Sequence, residues 1–149
     1  MLIVGSPTPG AFCAGADLVE RKNMTQDQVA KFLTDLRLAF SLLESLSIPT
    51  IAAIDGPALG GGLEMALACD LRIAGTMDIA SHILVLTSSF LGHDVTKIGL
   101  PETRLGIIPG AGGTQRAARL LGISKAKNLI FTGRTLTAPE ALSWGMLQS

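Results

Sequence analysis

Thr50-Ile-Ala-Ala-Ile-Asp-Gly-Pro-Ala-Leu-Gly-Gly-Gly-Leu-Glu-Met-Ala-Leu-Ala-Cys-Asp70 is the stretch on which the fold turns. Thr50 to Ile54 is β-branched and alanine-rich, the composition of a buried strand. Gly56 to Gly62 makes a turn, and a helix follows to about Cys69. Leu71 to Ala74 reads as the next strand. Strand, helix and strand in succession predict an α/β fold, with parallel strands and helices packed on the sheet.

The flanks continue this pattern. Leu2 to Val4 is a short buried strand stopped by Gly5, Pro7 and Pro9. Thr25 and Gln28 form a capping box. Val29, Phe32, Leu33, Leu36, Phe40 and Leu43 then recur at helical spacing, which predicts an amphipathic helix over about 25–46, ended before Pro49. Further on, Thr114 to Leu121 reads as a helix with Gly122 as its C-cap. A second helix, Ser124 to Thr132, stops at Gly133, and Thr137 with Glu140 caps a short last one. One segment, Thr76 to Val95, is apolar without a helical period and reads as a strand or an unpacked insert. The organisation is one domain over 1–149 with 76–95 as an atypical insert.

The 149 residues are one domain's worth of chain, able to bury roughly 70% of the unfolded surface. With 48% hydrophobic and 16% charged residues, and a mean hydropathy of +0.45, intrinsic disorder is excluded. A formal net charge of +0 makes no electrostatic case for nucleic acid or an anionic membrane. The longest apolar run, Ile79 to Leu91, is broken by Ser81, His82, Thr87, Ser88 and Ser89, and falls short of the ~20 residues a membrane span needs. Cys13 and Cys69 read as small core residues of a reducing compartment. No basic or Arg/Ser-rich leader precedes Leu2.

Chemistry has three candidate locations. At Ala58-Leu-Gly-Gly-Gly-Leu-Glu64, glycines admit close approach of a ligand, and a helix start leaves backbone N–H groups unengaged. Glu64 falls in the first helical turn; the bland alternative is a surface acid complementing the helix dipole. Phe12-Cys-Ala-Gly-Ala-Asp17 is a second small-residue stretch, where the Ala16 N–H is a further donor. At Gly99-Leu-Pro-Glu102, a carboxylate sits on a proline turn among Ile98, Leu100 and Leu105. Apolar surroundings raise a carboxyl pKa and suit it to acid–base work, whereas an exposed turn acid is the bland outcome. The run Gly106 to Thr114 matches neither a P-loop nor G-x-G-x-x-G. His82 and His93 have no partners at ligand spacing, so no metal site is read. The Lys125/Lys127 and Arg116/Arg119 pairs read as solvated helix faces, with phosphate contact as an alternative.

Taken together, Phe12-Cys-Ala-Gly-Ala-Asp17, Ile51-Ala-Ala-Ile-Asp-Gly56, Ala58 to Glu64, Ala68-Cys-Asp70, Pro109-Gly-Ala-Gly-Gly-Thr-Gln-Arg116 and Leu129-Ile-Phe-Thr-Gly133 resemble the crotonase (enoyl-CoA hydratase/isomerase) superfamily, and within it the mitochondrial methylglutaconyl-CoA hydratases. The likeness covers nearly the whole chain except 76–95. It implies a crotonase-like (ββα) spiral core. It implies that the N–H groups of Ala16 and Gly61 form an oxyanion hole for an acyl-CoA thioester, and that Ala14, Gly15, Asp17 and Gly110 contact the substrate. Glu64 and Glu102 match the two hydratase glutamates: the pair activates water for attack at C3, and Glu102 supplies the proton to C2. The implied activity is a lyase of short-chain or branched 2-enoyl-CoA, in fatty-acid or leucine breakdown, with no metal or redox cofactor. It also implies trimers or hexamers of the full-length protein and a mitochondrial location.

The sequence departs from that pattern twice. Asp70 and Glu102 stand further apart than in the family, and the excess lies within Thr76 to Val95, as a retained intron or a mis-set exon boundary would leave it. The family's strands before Leu2 and its helical part after Ser149, which closes the acyl pocket and builds trimers, are expected to be missing. The alternative reading is therefore an inactive crotonase-like fragment or paralogue that associates with full-length subunits.

Overall fold

The computed structural model describes residues 1–8, 10–74 and 96–148. The reading of 76–95 as strand or insert, with His82 and His93, lies outside the described residues. Two three-stranded sheets carry the fold. In the first, β1 (Leu2–Val4), β2 (Thr50–Ile54) and β4 (Leu71–Ala74) lie in the order β1-β2-β4, all parallel. This is the sheet expected from the Thr50–Asp70 stretch and its neighbours.

The second sheet was not expected. It joins β3 (Ala58–Leu59), β5 (Ile98–Gly99) and β6 (Thr135–Leu136) in the order β3-β5-β6. β3 and β5 run parallel, but β5 and β6 run antiparallel, which corrects the all-parallel expectation. Two-residue strands carry no readable alternation, and Ala58–Leu59 was hidden in what reads as a glycine turn. Cys13 extends this sheet by a parallel bridge to Ala58.

The helices follow their caps. Helix α1 (Leu18–Lys22) had no apolar period to announce it and is nucleated by Asp17. Helix α2 (Gln26–Glu44) begins at the Thr25/Gln28 capping box. Its predicted apolar face is the inward one: Phe40 is buried, and Val29, Phe32, Leu33, Leu36 and Leu43 are half-buried. Helix α3 (Gly61–Leu67) follows β3, while α4 (Gly113–Leu121) and α5 (Ile123–Thr132) meet at Gly122, whose φ of +79° favours glycine. Helix α6 (Ala138–Ser143) starts at the Thr137/Glu140 capping box. No helix among the described residues is long and apolar enough to cross a membrane.

Ile54, Leu63, Ile98, Leu100, Leu129, Leu136 and Met146 are fully buried and tie both sheets to α3 and α5 in one core. Two polar clasps close the first sheet. The Thr50 N–H and hydroxyl donate to Asp70 Oδ2 at 2.8 and 2.9 Å, and the Asp70 N–H returns to Thr50 Oγ1 at 2.8 Å. Buried Arg72 donates to the carbonyls of Met146 (2.8 Å) and Cys69 (2.7 Å), pinning the C-terminal segment to β4.

Gly62 shows how tightly α3 meets the 13–16 segment, because a Cβ there would overlap the Cys13 carbonyl. At Gly61 a Cβ finds Gly15 Cα at 3.9 Å, an ordinary contact. Gly62→Ala should therefore cost about 1–3 kcal/mol in a urea unfolding series, the usual overpacking penalty, and Gly61→Ala far less. Equal costs at the two positions would contradict this packing.

Candidate active site

Parallel pairing brings the site together. Cys13, β3 and β5 lie side by side and point the same way. Leu59 N–H donates to the Cys13 carbonyl at 3.0 Å, and Gly60 N–H to the Gly99 carbonyl at 3.0 Å. The three segments therefore leave the sheet at one edge. The first continues into Ala14 to Asp17, the second into α3 with Glu64, and the third into the 3₁₀ turn Pro101–Leu105 with Glu102. Ligands of parallel sheets gather at such carboxyl ends.

These segments line a cavity of about 460 Å³. Ala14, Gly15, Ala16, Gly60, Gly61, Glu64, Glu102 and Gly110 are in its wall, and the α2 residues Phe32, Leu33, Leu36 and Phe40 form an apolar side. Seven of the eight expected site residues thus reach one cavity. Asp17 does not line it: its carboxylate accepts from the Val19 N–H at 2.7 Å and the Glu20 N–H at 3.3 Å, capping α1. The sequence reading of Asp17 as a substrate contact did not foresee this capping role. A short polar side chain just before a helix start satisfies orphan N–H groups, and that is its observed role. Cys13, expected in the core, packs against it and also reaches the cavity wall.

The N–H groups of Ala16 and Gly61 find no acceptor among the described residues. A Cβ on Gly15 would stand 3.4 Å from the Gly61 nitrogen, so the two donor segments touch.

Glu64 is 3% exposed, not the surface acid of the bland reading. Its Oε1 accepts from Ala111 N–H and Gly113 N–H, both at 2.8 Å. Gly113 is the first residue of α4, so the carboxylate lies at that helix's positive end. Burial raises the Glu64 pKa, opposed by these two N–H groups and by the charges of Arg116 and Arg37. The glycine run 109–113, without a phosphate motif, is thus the seat of a carboxylate from another helix.

Glu102 is 8% exposed. Its Oε2 has no hydrogen-bond partner, and its pKa is pushed from 4.5 up to about 7, chiefly by burial and then by the nearby Glu64 charge. The apolar setting expected from Ile98 and Leu100 is present, although Leu105 itself is exposed. The Thr103 hydroxyl donates to the Ile130 carbonyl at 2.7 Å and locks this turn onto α5. Arg116, expected on a solvated face, is buried at 8% exposure; Arg119 is exposed as expected. A neighbouring acid, Glu44, lies far away in sequence, which hid the pairing.

The chain has the fold of solved enoyl-CoA hydratases. It superposes on an enoyl-CoA hydratase from Bacillus anthracis with a TM-score of 0.82 at 44% identity, over 98% of this chain and 50% of that one. The profile of the enoyl-CoA hydratase/isomerase family matches residues 1–149, and the chain belongs to that family. It is 52% identical to a probable mitochondrial enoyl-CoA hydratase 2 of Arabidopsis thaliana, over 99% of this chain and 43% of the relative. It is 47% identical to the mitochondrial methylglutaconyl-CoA hydratase of Homo sapiens, over 98% of this chain and 38% of the relative. The chain spans less than half the length of these curated relatives.

The raised Glu102 pKa links to stability. The folded value of about 7 lies above the ordinary 4.5, so stability is full below pH 4.5 and falls as pH rises through 7. A shift of that size corresponds to about 3 kcal/mol. Glu102→Gln removes the titration. Urea unfolding should show the variant and the parent alike at pH 4, with the variant more stable by up to about 3 kcal/mol at pH 8. A stability difference independent of pH would count against this environment.

Proposed function

We propose that the chain carries the catalytic groups of an enoyl-CoA hydratase-type lyase, which adds water across the double bond of a 2-enoyl-CoA. The observation that carries this reading is the pair Glu64 and Glu102, both buried and both with raised pKa, in one cavity with the Ala16 and Gly61 N–H groups.

The thioester oxygen accepts from Ala16 and Gly61 N–H, where enolate charge develops; a single such donor is worth about 3–4 kcal/mol in comparable sites. Glu64, its Oε1 already engaged by two N–H groups, orients water through its other oxygen. Water oxygen bonds to C3 as the C2–C3 π bond breaks, and the water proton passes to the carboxyl pair. Glu102, with a pKa of about 7, delivers a proton to C2. The addition is redox-neutral and calls for no electron carrier. Environments that differ around two carboxyls are the usual basis for such a division of roles. Glu64→Gln and Glu102→Gln should each lower hydration of crotonyl-CoA by at least about a hundredfold, measured as loss of enoyl-thioester absorbance. Unchanged turnover in either variant would remove this reading.

The acyl group we propose is short, branched and tipped by a second carboxylate, as in methylglutaconyl-CoA. Arg21 supports this, as the one cation among the described residues that line the cavity. Its guanidinium stacks 5.7 Å from the centre of the Phe32 ring, which shares the cavity wall. Arg21→Met should raise KM for methylglutaconyl-CoA about tenfold or more, the scale of a charge-assisted hydrogen bond, and leave crotonyl-CoA little changed. An equal rise for both substrates would place Arg21 on the CoA phosphates instead. A mitochondrial location and assembly into trimers or hexamers belong to this proposal. The location rests on the names of the Arabidopsis and human relatives, and the assembly on the family likeness.

A further inference from the structure

Glu64 is held by a loop, and a loop holds a carboxylate in place only if it is itself held. Residues 109–113 include three glycines, which give a flexible backbone no reason to keep two N–H groups on one oxygen. Two guanidinium groups supply the restraint. Arg116 Nη1 donates to the Ala111 carbonyl at 3.0 Å, while its Nε and Nη2 grip Glu44 Oε2 at 3.1 and 2.8 Å. Arg37 Nε donates to the Gly110 carbonyl at 2.6 Å. Glu44 and Arg37 both belong to α2, so the loop is fastened to that helix. Gly112 carries the imprint of this arrangement: its φ is +108°, and a Cβ there would overlap Arg116 Nη1.

We propose that the Glu44–Arg116 pair is a positioning device for Glu64: it fixes the peptide planes of 111–113 so that the Ala111 and Gly113 N–H groups stay on Glu64 Oε1. Neither member of the pair hydrogen-bonds Glu64, and neither lines the cavity that holds it. It acts through the main chain, from the opposite side of the loop. Arg116 and Glu44 line a neighbouring hollow, which shares Ile108 and Gly110 with the cavity but contains neither Glu64 nor Glu102. Because one end of the pair is buried and the other half-exposed, the attraction is stronger than that of a surface pair. The catalytic meaning of this device rests on the hydratase reading, but its geometry does not, so the test is made without turnover.

The test is amide hydrogen exchange and ¹³C NMR titration of the Glu64 carboxyl in the 149-residue chain, for the parent, Arg116→Met, Arg116→Lys and Glu44→Ala. In Arg116→Met the Ala111 and Gly113 amides should exchange about tenfold faster, with core amides such as Leu129 unchanged. Glu64 should titrate at higher pH, because both the N–H groups and one of its facing cations are weakened; the charged groups around it are Arg116, Arg37 and Glu102. Arg116→Lys keeps the charge but not the fork, and should leave the two amides fast. Protection equal to the parent in Arg116→Lys would reduce the pair to a charge effect and overturn positioning. So would faster exchange spread evenly over the chain. Should Arg116→Met fail to fold, Glu44→Ala decides: Glu44 is half-exposed, and selective loss of protection at 111 and 113 is expected, whereas unchanged protection overturns the proposal.

Discussion

Three short stretches of chain running in the same direction, Cys13, β3 and β5, set everything else in place. Parallel neighbours release their following residues at one edge, and here each release point bears a different chemical group. The 13–16 segment and the start of α3 bring main-chain donors, α3 brings Glu64 and the 3₁₀ turn brings Glu102. An antiparallel β3–β5 pair would have sent Glu64 and Glu102 to opposite ends of the sheet. The pairing is short, so its hydrogen bonds alone are a small part of the stability. The burial of Leu63, Ile98 and Leu100, each fully enclosed, is what keeps the edges in register.

Helix α2 serves this edge from above in two ways. Its inward face gives the cavity an apolar side with Phe32, Leu33, Leu36 and Phe40, while burial raises the pKa of both carboxyls in the same wall. Its flank, through Arg37 and Glu44, ties down the loop on which Glu64 rests. Desolvation alone would drive Glu64 to the neutral form. The two N–H groups that the loop presents oppose this and restrain the rise, while its neighbour Glu102, with an unpartnered oxygen and no donors from that loop, is pushed up to about 7. Burial thus acts unequally on two chemically identical groups, because only one of them is seated on the loop's N–H groups.

Much of this was legible in the sequence, and the rest was hidden for definable reasons. Capping boxes at Thr25 and Thr137 and the helical period of Val29 to Leu43 marked α2 and α6, because these signals are local. β2 was visible as a β-branched run. The second sheet was not, since two-residue strands are too short to show a period and owe their conformation to partners distant in sequence. At the site, glycine and proline context singled out Glu64, Glu102 and the donor segments only as candidates beside bland alternatives, and it was the family likeness that grouped them. The capping role of Asp17 was not read, because α1 is a single short helix without an apolar period to mark its start. Arg116 looked solvated because its partner Glu44 lies on another helix, and no local pattern links them.

The glycines bear on this last point. Gly62, Gly112 and Gly113 each stand where a Cβ would strike a specific group: the Cys13 carbonyl, the Arg116 guanidinium and, at 2.9 Å, Glu64 Oε1. Read one at a time, such glycines suggest a turn or a ligand's close approach. In this fold the approaching groups belong to the protein itself: one donor segment, one positioning cation and one carboxyl. Glycine enrichment around the site therefore records how closely the machinery is packed against its own backbone. Any side chain added there is felt first as a shift of the donors on Glu64 and of the 13–16 segment, before it is felt as a loss of room for substrate.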